Sequence, residues 1–166
     1  MSKLVFDSDG LIKLFKSGCL QIIFQNFACS ISREVHEETV IKGMERLYDD
    51  AFEIEGLIKK DKLTVEVVRN NKQAQNILKH SSAGKGEAAS LHLFFNLDAT
   101  AIISDDRVFL NLLHKNNVPF ITPTDLIVRL YVLKLISKKE ALDVLNKIKP
   151  YASKDSYANA KANLEV

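Results

Sequence analysis

The sequence predicts an α/β fold with a central parallel sheet and helices on both of its faces. Short apolar runs of strand length alternate along the chain with longer stretches of helical periodicity, a pattern that implies crossover connections between parallel strands. The run Ala99-Thr100-Ala101-Ile102-Ile103-Ser104 lacks polar alternation, as expected of a strand buried on both faces. Two of the runs end directly in aspartate, at Asp7 and Asp105, which puts a carboxylate at the carboxyl end of a buried strand twice. In parallel α/β sheets ligands bind at that edge.

The elements follow in order. Leu4-Val5-Phe6 reads as a strand, and Leu11, Ile12, Leu14 and Phe15 as a helix closed by Lys16-Ser17-Gly18. A short helix from Leu20 to Phe24 leads into a strand at Ala28-Cys29-Ser30-Ile31, after which Ser32 is placed to cap a helix beginning at Arg33. The charged stretch from Glu34 to Lys60 is long for one helix in a compact domain and predicts two in series. A strand is expected over Leu63–Val68 and a helix over Lys72–Lys79. Ser81-Ser82-Ala83-Gly84-Lys85-Gly86 breaks the pattern before an apolar helix opened by Glu87. Beyond the Ala99–Ser104 strand come a helix through Val108, Leu110, Leu112 and Leu113 and a strand over Val118–Thr122, with Pro119 near its start. Closing helices are expected over Asp125–Leu135 and Ser137–Ile148. The second has the Ser137/Glu140 spacing of a capping box. The periodicity fades after Pro150, so we expect one domain over 1–150 and a C-terminal extension over 151–166, held helical only by Ala158, Ala160, Ala162 and Leu164.

Composition narrows the function. A 166-residue chain that is 46% hydrophobic can bury a core of its own. Its net charge of +2 excludes a strongly basic nucleic-acid binder, so any such ligand must be held by local patches. Cys19 and Cys29 lie in apolar surroundings and read as reduced core thiols. The N-terminus reaches Asp7 after three apolar residues, and no run approaches the length of a membrane span, which predicts a cytoplasmic protein that does not enter a membrane. Gly84-Lys85-Gly86 is too short for a Walker loop, and no Gly-x-Gly-x-x-Gly follows the first strand. His36, His80, His92 and His114 show no metal-ligand spacing.

The acidic residues are the chemical feature. A carboxylate at the end of a buried strand is costly unless capped, paired or bound to metal. Asp7 and Asp105 both meet that description, and each alone also reads as a helix N-cap. Glu38 lies three residues after Val35, on nearly the core-facing side of its helix, or is one more solvated acid; Glu34 and Glu37 compete with it. Glu87 opens a helix of Ala, Leu and Phe, where an acid also favours the helix dipole.

At these residues the chain resembles the PIN-domain family of metal-dependent ribonucleases. The resemblance rests on Val5-Phe6-Asp7-Ser8, Val35-His36-Glu37-Glu38, Gly84-Lys85-Gly86-Glu87-Ala88-Ala89, Ile102-Ile103-Ser104-Asp105-Asp106 and Val118-Pro119-Phe120-Ile121-Thr122-Pro123-Thr124, in that order, across roughly Val5 to Leu135. It implies a three-layer fold around about five parallel strands. It also implies an acidic centre of Asp7, Glu38, Glu87 and Asp105, with Asp106 as an additional contributor. The hydroxyls of Ser8, Ser104 and Thr124 could align water or a phosphate beside these acids, and each equally reads as a helix cap. Asp7, Glu87 and Asp105 would contact metal, and Lys85 and Arg107, beside the acids, would receive RNA. Oxygen-only ligands suit Mg²⁺ or Mn²⁺ rather than a structural zinc. Many relatives are toxins neutralised by a small antitoxin, which adds such a protein to the expected partners. A homodimer could use the apolar faces around Leu14 and Phe15 or Leu47 and Tyr48, although core burial is the default for each. Two other classes stay open: a noncatalytic module that binds protein or RNA, and a metal-dependent DNA nuclease or phosphatase using the same acids.

Overall fold

The computed structural model describes every residue from Met1 to Val166. Strands β1 (Lys3–Phe6), β2 (Ala28–Ser32), β3 (Thr64–Glu66), β4 (Ala101–Ile103) and β5 (Phe120–Ile121) form one sheet in the order β3-β2-β1-β4-β5, with every neighbouring pair parallel. The helices are α1 (Ser8–Ser17), α2 (Leu20–Asn26), α3 (Arg33–His36), α4 (Lys42–Glu45), α5 (Asp49–Lys59), α6 (Lys72–Leu78), α7 (Lys85–Leu97), α8 (Arg107–Lys115), α9 (Pro123–Val132), α10 (Lys138–Ile148) and α11 (Lys154–Glu165). A π-helical turn over Glu37–Ile41 joins α3 to α4. No helix is long and apolar enough to cross a membrane.

The two-residue period of the strands divides the core. Leu4, Phe6, Ile31, Ala101 and Ile103 face a larger cluster shared with α1, α2, α5, α9, α10 and α11. Val5 and Ile102 face a smaller one built with Ala74 of α6, Leu91 and Phe94 of α7, and Phe109 and Leu113 of α8. The sheet is thus the middle of three layers, as the sequence predicts. β3 is shorter than the expected Leu63–Val68 run because it is an edge strand paired to β2 alone, and Val67 beyond it is exposed. The helix after β2 carries the bulge at Glu37–Ile41, where the Thr39 hydroxyl donates back to the Val35 carbonyl at 2.7 Å. That run ends at Leu47 in the left-handed region (φ 59°) before α5 begins, which gives the two helical stretches expected there.

The residues after 150 belong to the same core rather than standing outside it. α11 packs on α9 and α10, and Ala160 and Leu164, one turn apart, are fully buried in the larger cluster. Alanine supplies half of that stripe, so the apolar signal in the sequence is faint. Leu14, weighed as part of a dimer face, is likewise in the core, whereas Leu47 and Tyr48 are exposed. Cys19 and Cys29 are free and buried, and burial pushes their thiols up to about 11 and about 12. Leu164→Ala is expected to lower unfolding free energy by roughly 2–4 kcal/mol in urea titrations. A change no larger than that of exposed Ala162→Ser would show that α11 adds nothing to the core.

Candidate functional site

β1 and β4 lie side by side, so their carboxyl ends emerge together, with Phe6 opposite Ile103 and Asp7 and Ser104 one residue beyond. The Asp7 N–H continues the ladder by donating to the Ile103 carbonyl at 3.1 Å. α1 starts against this edge so closely that a Cβ on Gly10 would sit 2.5 Å from the Ile103 carbonyl oxygen. Glycine is needed there for the approach.

Asp7 is 2% exposed and uses both carboxyl oxygens. Oδ1 accepts from the Gly10 N–H at 2.7 Å, which caps α1, and Oδ2 accepts from the Ser104 hydroxyl. Capping and site geometry are therefore one arrangement at Asp7. At the end of β4 they separate: Asp106 caps α8 by accepting from the Phe109 N–H at 2.9 Å, so Asp105 is not a cap and faces the cleft. The cap reading weighed for Asp105 thus applies to its neighbour.

Two more carboxylates come from helical segments, α7 and the π-helical turn. α7 is tied to the sheet by Ser90, whose hydroxyl donates to the Gly86 carbonyl at 2.8 Å and lies 3.4 Å from the Phe6 carbonyl. Glu87, in its first turn, accepts from the Gly84 N–H at 3.0 Å. Glu38 projects from the π-helical turn and accepts from the Ser8 hydroxyl at 2.5 Å. Its carboxylate rests on Gly86, where an added Cβ would meet Oε2 at 2.7 Å. Of the three acids that compete in the sequence, Glu38 lines the cleft and Glu34 and Glu37 do not.

The cleft encloses about 470 Å³ and is lined by Asp7, Ser8, Asp9, Lys13, Glu38, Gly84, Gly86, Glu87, Asp105, Asp106 and Arg107, without one apolar side chain. Thr124 is buried beneath the start of α9, 3.3 Å from Thr122, and takes no part in the lining. Lys85 is exposed at the first position of α7 while its glycine neighbours line the cleft. His36 pairs with Glu55 of α5 at 3.2 Å, away from the acids. Two lining residues were not singled out from the sequence. Asp9 and Lys13 form an i,i+4 pair at 3.1 Å, and Lys13 also reaches Asp105 at 2.6 Å. Their spacing alone signals a surface ion pair.

Crowded acids shift one another. Burial pushes Asp7 from an ordinary 3.8 up to about 7, against the Ser104 and Gly10 hydrogen bonds and helped by Asp9 and Glu87. Glu87 and Asp105 are also raised, chiefly by burial, the latter despite Lys13 beside it. Burial opposes the Lys13 charge, but Asp105 and Asp9 outweigh it and hold the ammonium above its usual range. The donor set is all oxygen, which fits a hard cation such as Mg²⁺ or Mn²⁺. No three carboxylates, imidazoles or thiols converge closely enough to bind one ion together as they stand, and Asp7, Glu38, Glu87 and Asp105 are each engaged by a neighbour within the protein.

The Asp7 shift has a signed consequence for the metal-free chain. Between 3.8 and about 7 the folded protein retains a proton that the unfolded chain has released, so stability falls as pH rises through that window. Across the whole window the effect is on the order of 4 kcal/mol. Chelator-treated protein should melt higher at pH 5.5 than at pH 8, and Asp7→Asn should remove most of the difference. Equal melting temperatures for the wild type at the two pH values would refute the destabilising role of this carboxylate.

A family model described as a PIN domain matches residues 3–165, which includes β1 to β5, every carboxylate of the cleft and α11. No curated protein matches the chain closely enough to stand as a relative. With the sheet order, the acidic edge and a match over nearly its whole length, the chain belongs to the PIN-domain family.

Proposed function

We propose that the protein is a divalent-metal-dependent endoribonuclease acting in the acidic cleft. The observation that carries this reading is the meeting of Asp7, Glu38, Glu87 and Asp105, from four separate segments, along one cleft in a chain whose family is usually nucleolytic.

Asp7, Glu87 and Asp105 would hold Mg²⁺ or Mn²⁺. An ion bound there supplies an acidified water and positive charge for the phosphoryl oxygens. The chain's own groups do the positioning. Ser104 and the Gly10 N–H fix both oxygens of Asp7, and Ser8 steadies Glu38 where it can orient the attacking water. Exposed Arg107, which lines the cleft, is the first group we propose for an RNA phosphate, with exposed Lys85 beside the cleft as a second. The neighbouring cleft shares Lys13, Asp105 and Arg107 and adds Asn111, His114 and Ser156, which offers a path for the flanking strand. A small antitoxin that covers the acids with a basic segment, in the cytoplasm, is the partner this reading favours.

The test is cleavage of matched single-stranded RNA and DNA pools with and without Mg²⁺ or Mn²⁺. Asp7→Asn and Asp105→Asn should each slow metal-dependent RNA cleavage about a hundredfold or more without unfolding the chain. Unchanged cleavage in both variants would overturn the residue roles. Equal cutting of DNA would overturn the RNA preference, and RNA binding without cutting would favour a noncatalytic module. Gly86→Ala should push Glu38 aside and slow cleavage roughly tenfold to a hundredfold, with stability altered by no more than about 1 kcal/mol. A full-speed Gly86→Ala enzyme would remove Glu38 from the mechanism.

A further inference from the structure

We infer that Lys13 is a built-in competitor for the metal, an ammonium that holds Asp105 in the metal-free protein and must be displaced before Asp105 can join a coordination sphere. This rests on the metal-dependent reading above and identifies what controls occupancy of the same site.

Four observations carry it. Lys13 Nζ lies 2.6 Å from Asp105 Oδ2 and 3.1 Å from Asp9 Oδ2, so one cation bridges two carboxylates from different parts of the chain. The pair is sheltered, with side-chain exposures of 19% for Lys13 and 11% for Asp105, so solvent screens it less than a surface pair. The close seat of Gly10 on the Ile103 carbonyl brings α1, and with it Lys13, against the end of β4. The other acids have partners of a different kind. Asp7 is held by a hydroxyl and a backbone N–H, Glu38 by a hydroxyl and Glu87 by a backbone N–H, none of which brings a positive charge.

Neutral donors can stay near a carboxylate that binds a cation, whereas an ammonium repels the incoming ion. Six carboxylates (Asp7, Asp9, Glu38, Glu87, Asp105, Asp106) line the cleft against two cations, Lys13 and Arg107. Lys13 therefore offsets part of the repulsion among the acids when metal is absent, and opposes metal when it arrives. Even at the dielectric constant of water, an ammonium about 5 Å from a divalent ion weakens its binding roughly tenfold.

The experiment is calorimetric or electron-paramagnetic titration of chelator-stripped protein with Mn²⁺ alone at pH 8, for wild type, Lys13→Met and Lys13→Arg, with thermal melts to verify folding. Lys13→Met should bind Mn²⁺ about tenfold tighter or more, and Lys13→Arg should stay near wild type. Should Lys13→Met fail to fold, Lys13→Gln is the substitute with the same expected direction. Equal or weaker binding in the neutral variant overturns the proposal, as does absence of Mn²⁺ binding in all of them. Failure here is separable from failure of the nuclease reading. Wild-type protein that cuts RNA but binds Mn²⁺ no differently from Lys13→Met loses only the competitor role. Tighter binding in Lys13→Met without any RNA cleavage keeps that role and loses the nuclease.

Discussion

The parallel pairing of β1 with β4 is the constraint on which the site depends. The chain visits β1, β2 and β3 in one direction across the sheet and then returns to the other side of β1 to lay down β4 and β5. The reversal leaves a crevice beyond the ends of β1 and β4, the position where open α/β sheets bind ligands. Asp7 and Asp105 stand at its two sides because the ladder registers Phe6 with Ile103. A one-residue slip in that pairing would turn the side chains of β4 to the wrong faces and break both clusters of the core. The same apolar packing that stabilises the fold thus sets the spacing of the acids.

Local helix chemistry is woven into this edge. Asp7 and Glu87 each satisfy a backbone N–H at a helix start and also face the cleft, so the carboxylates are held by hydrogen bonds that the helices need anyway. Such dual use limits the cost of keeping Asp7 in a buried place. At the end of β4 two consecutive aspartates line the cleft, and Asp106 alone also caps the helix, which leaves Asp105 free of that role.

Much of this was legible in the sequence, because strands buried on both faces are short apolar runs and the acids come directly after two of them. The five strands, the breaker before Glu87 and the capping box at Ser137 follow from such local patterns. What depends on tertiary neighbours was not legible. Lys13 and Asp9 look like a solvated i,i+4 pair until β4 brings Asp105 alongside. Lys85 sits between two cleft glycines along the chain, but a helix start turns consecutive side chains in different directions, and it does not line the cleft; Thr124 is buried in the first turn of α9. The bulge that presents Glu38 has no signature among the residues around it. The sequence supports α11 only weakly and does not place it in the core, because its buried stripe is half alanine, which marks packing against close neighbours rather than apolar bulk.

The placement of the first strand at the middle of the sheet has a consequence for biosynthesis. As the polypeptide leaves the ribosome, β1 can recruit β2 and then β3, yet its other flank stays open until residue 101 and beyond have emerged. Through that interval a nascent chain exposes an unpaired edge that is apolar from Leu4 to Phe6, a hazard for self-association. Asp105 arrives with the strand that seals this edge, so the acidic centre is completed only when the most vulnerable stage of synthesis has passed.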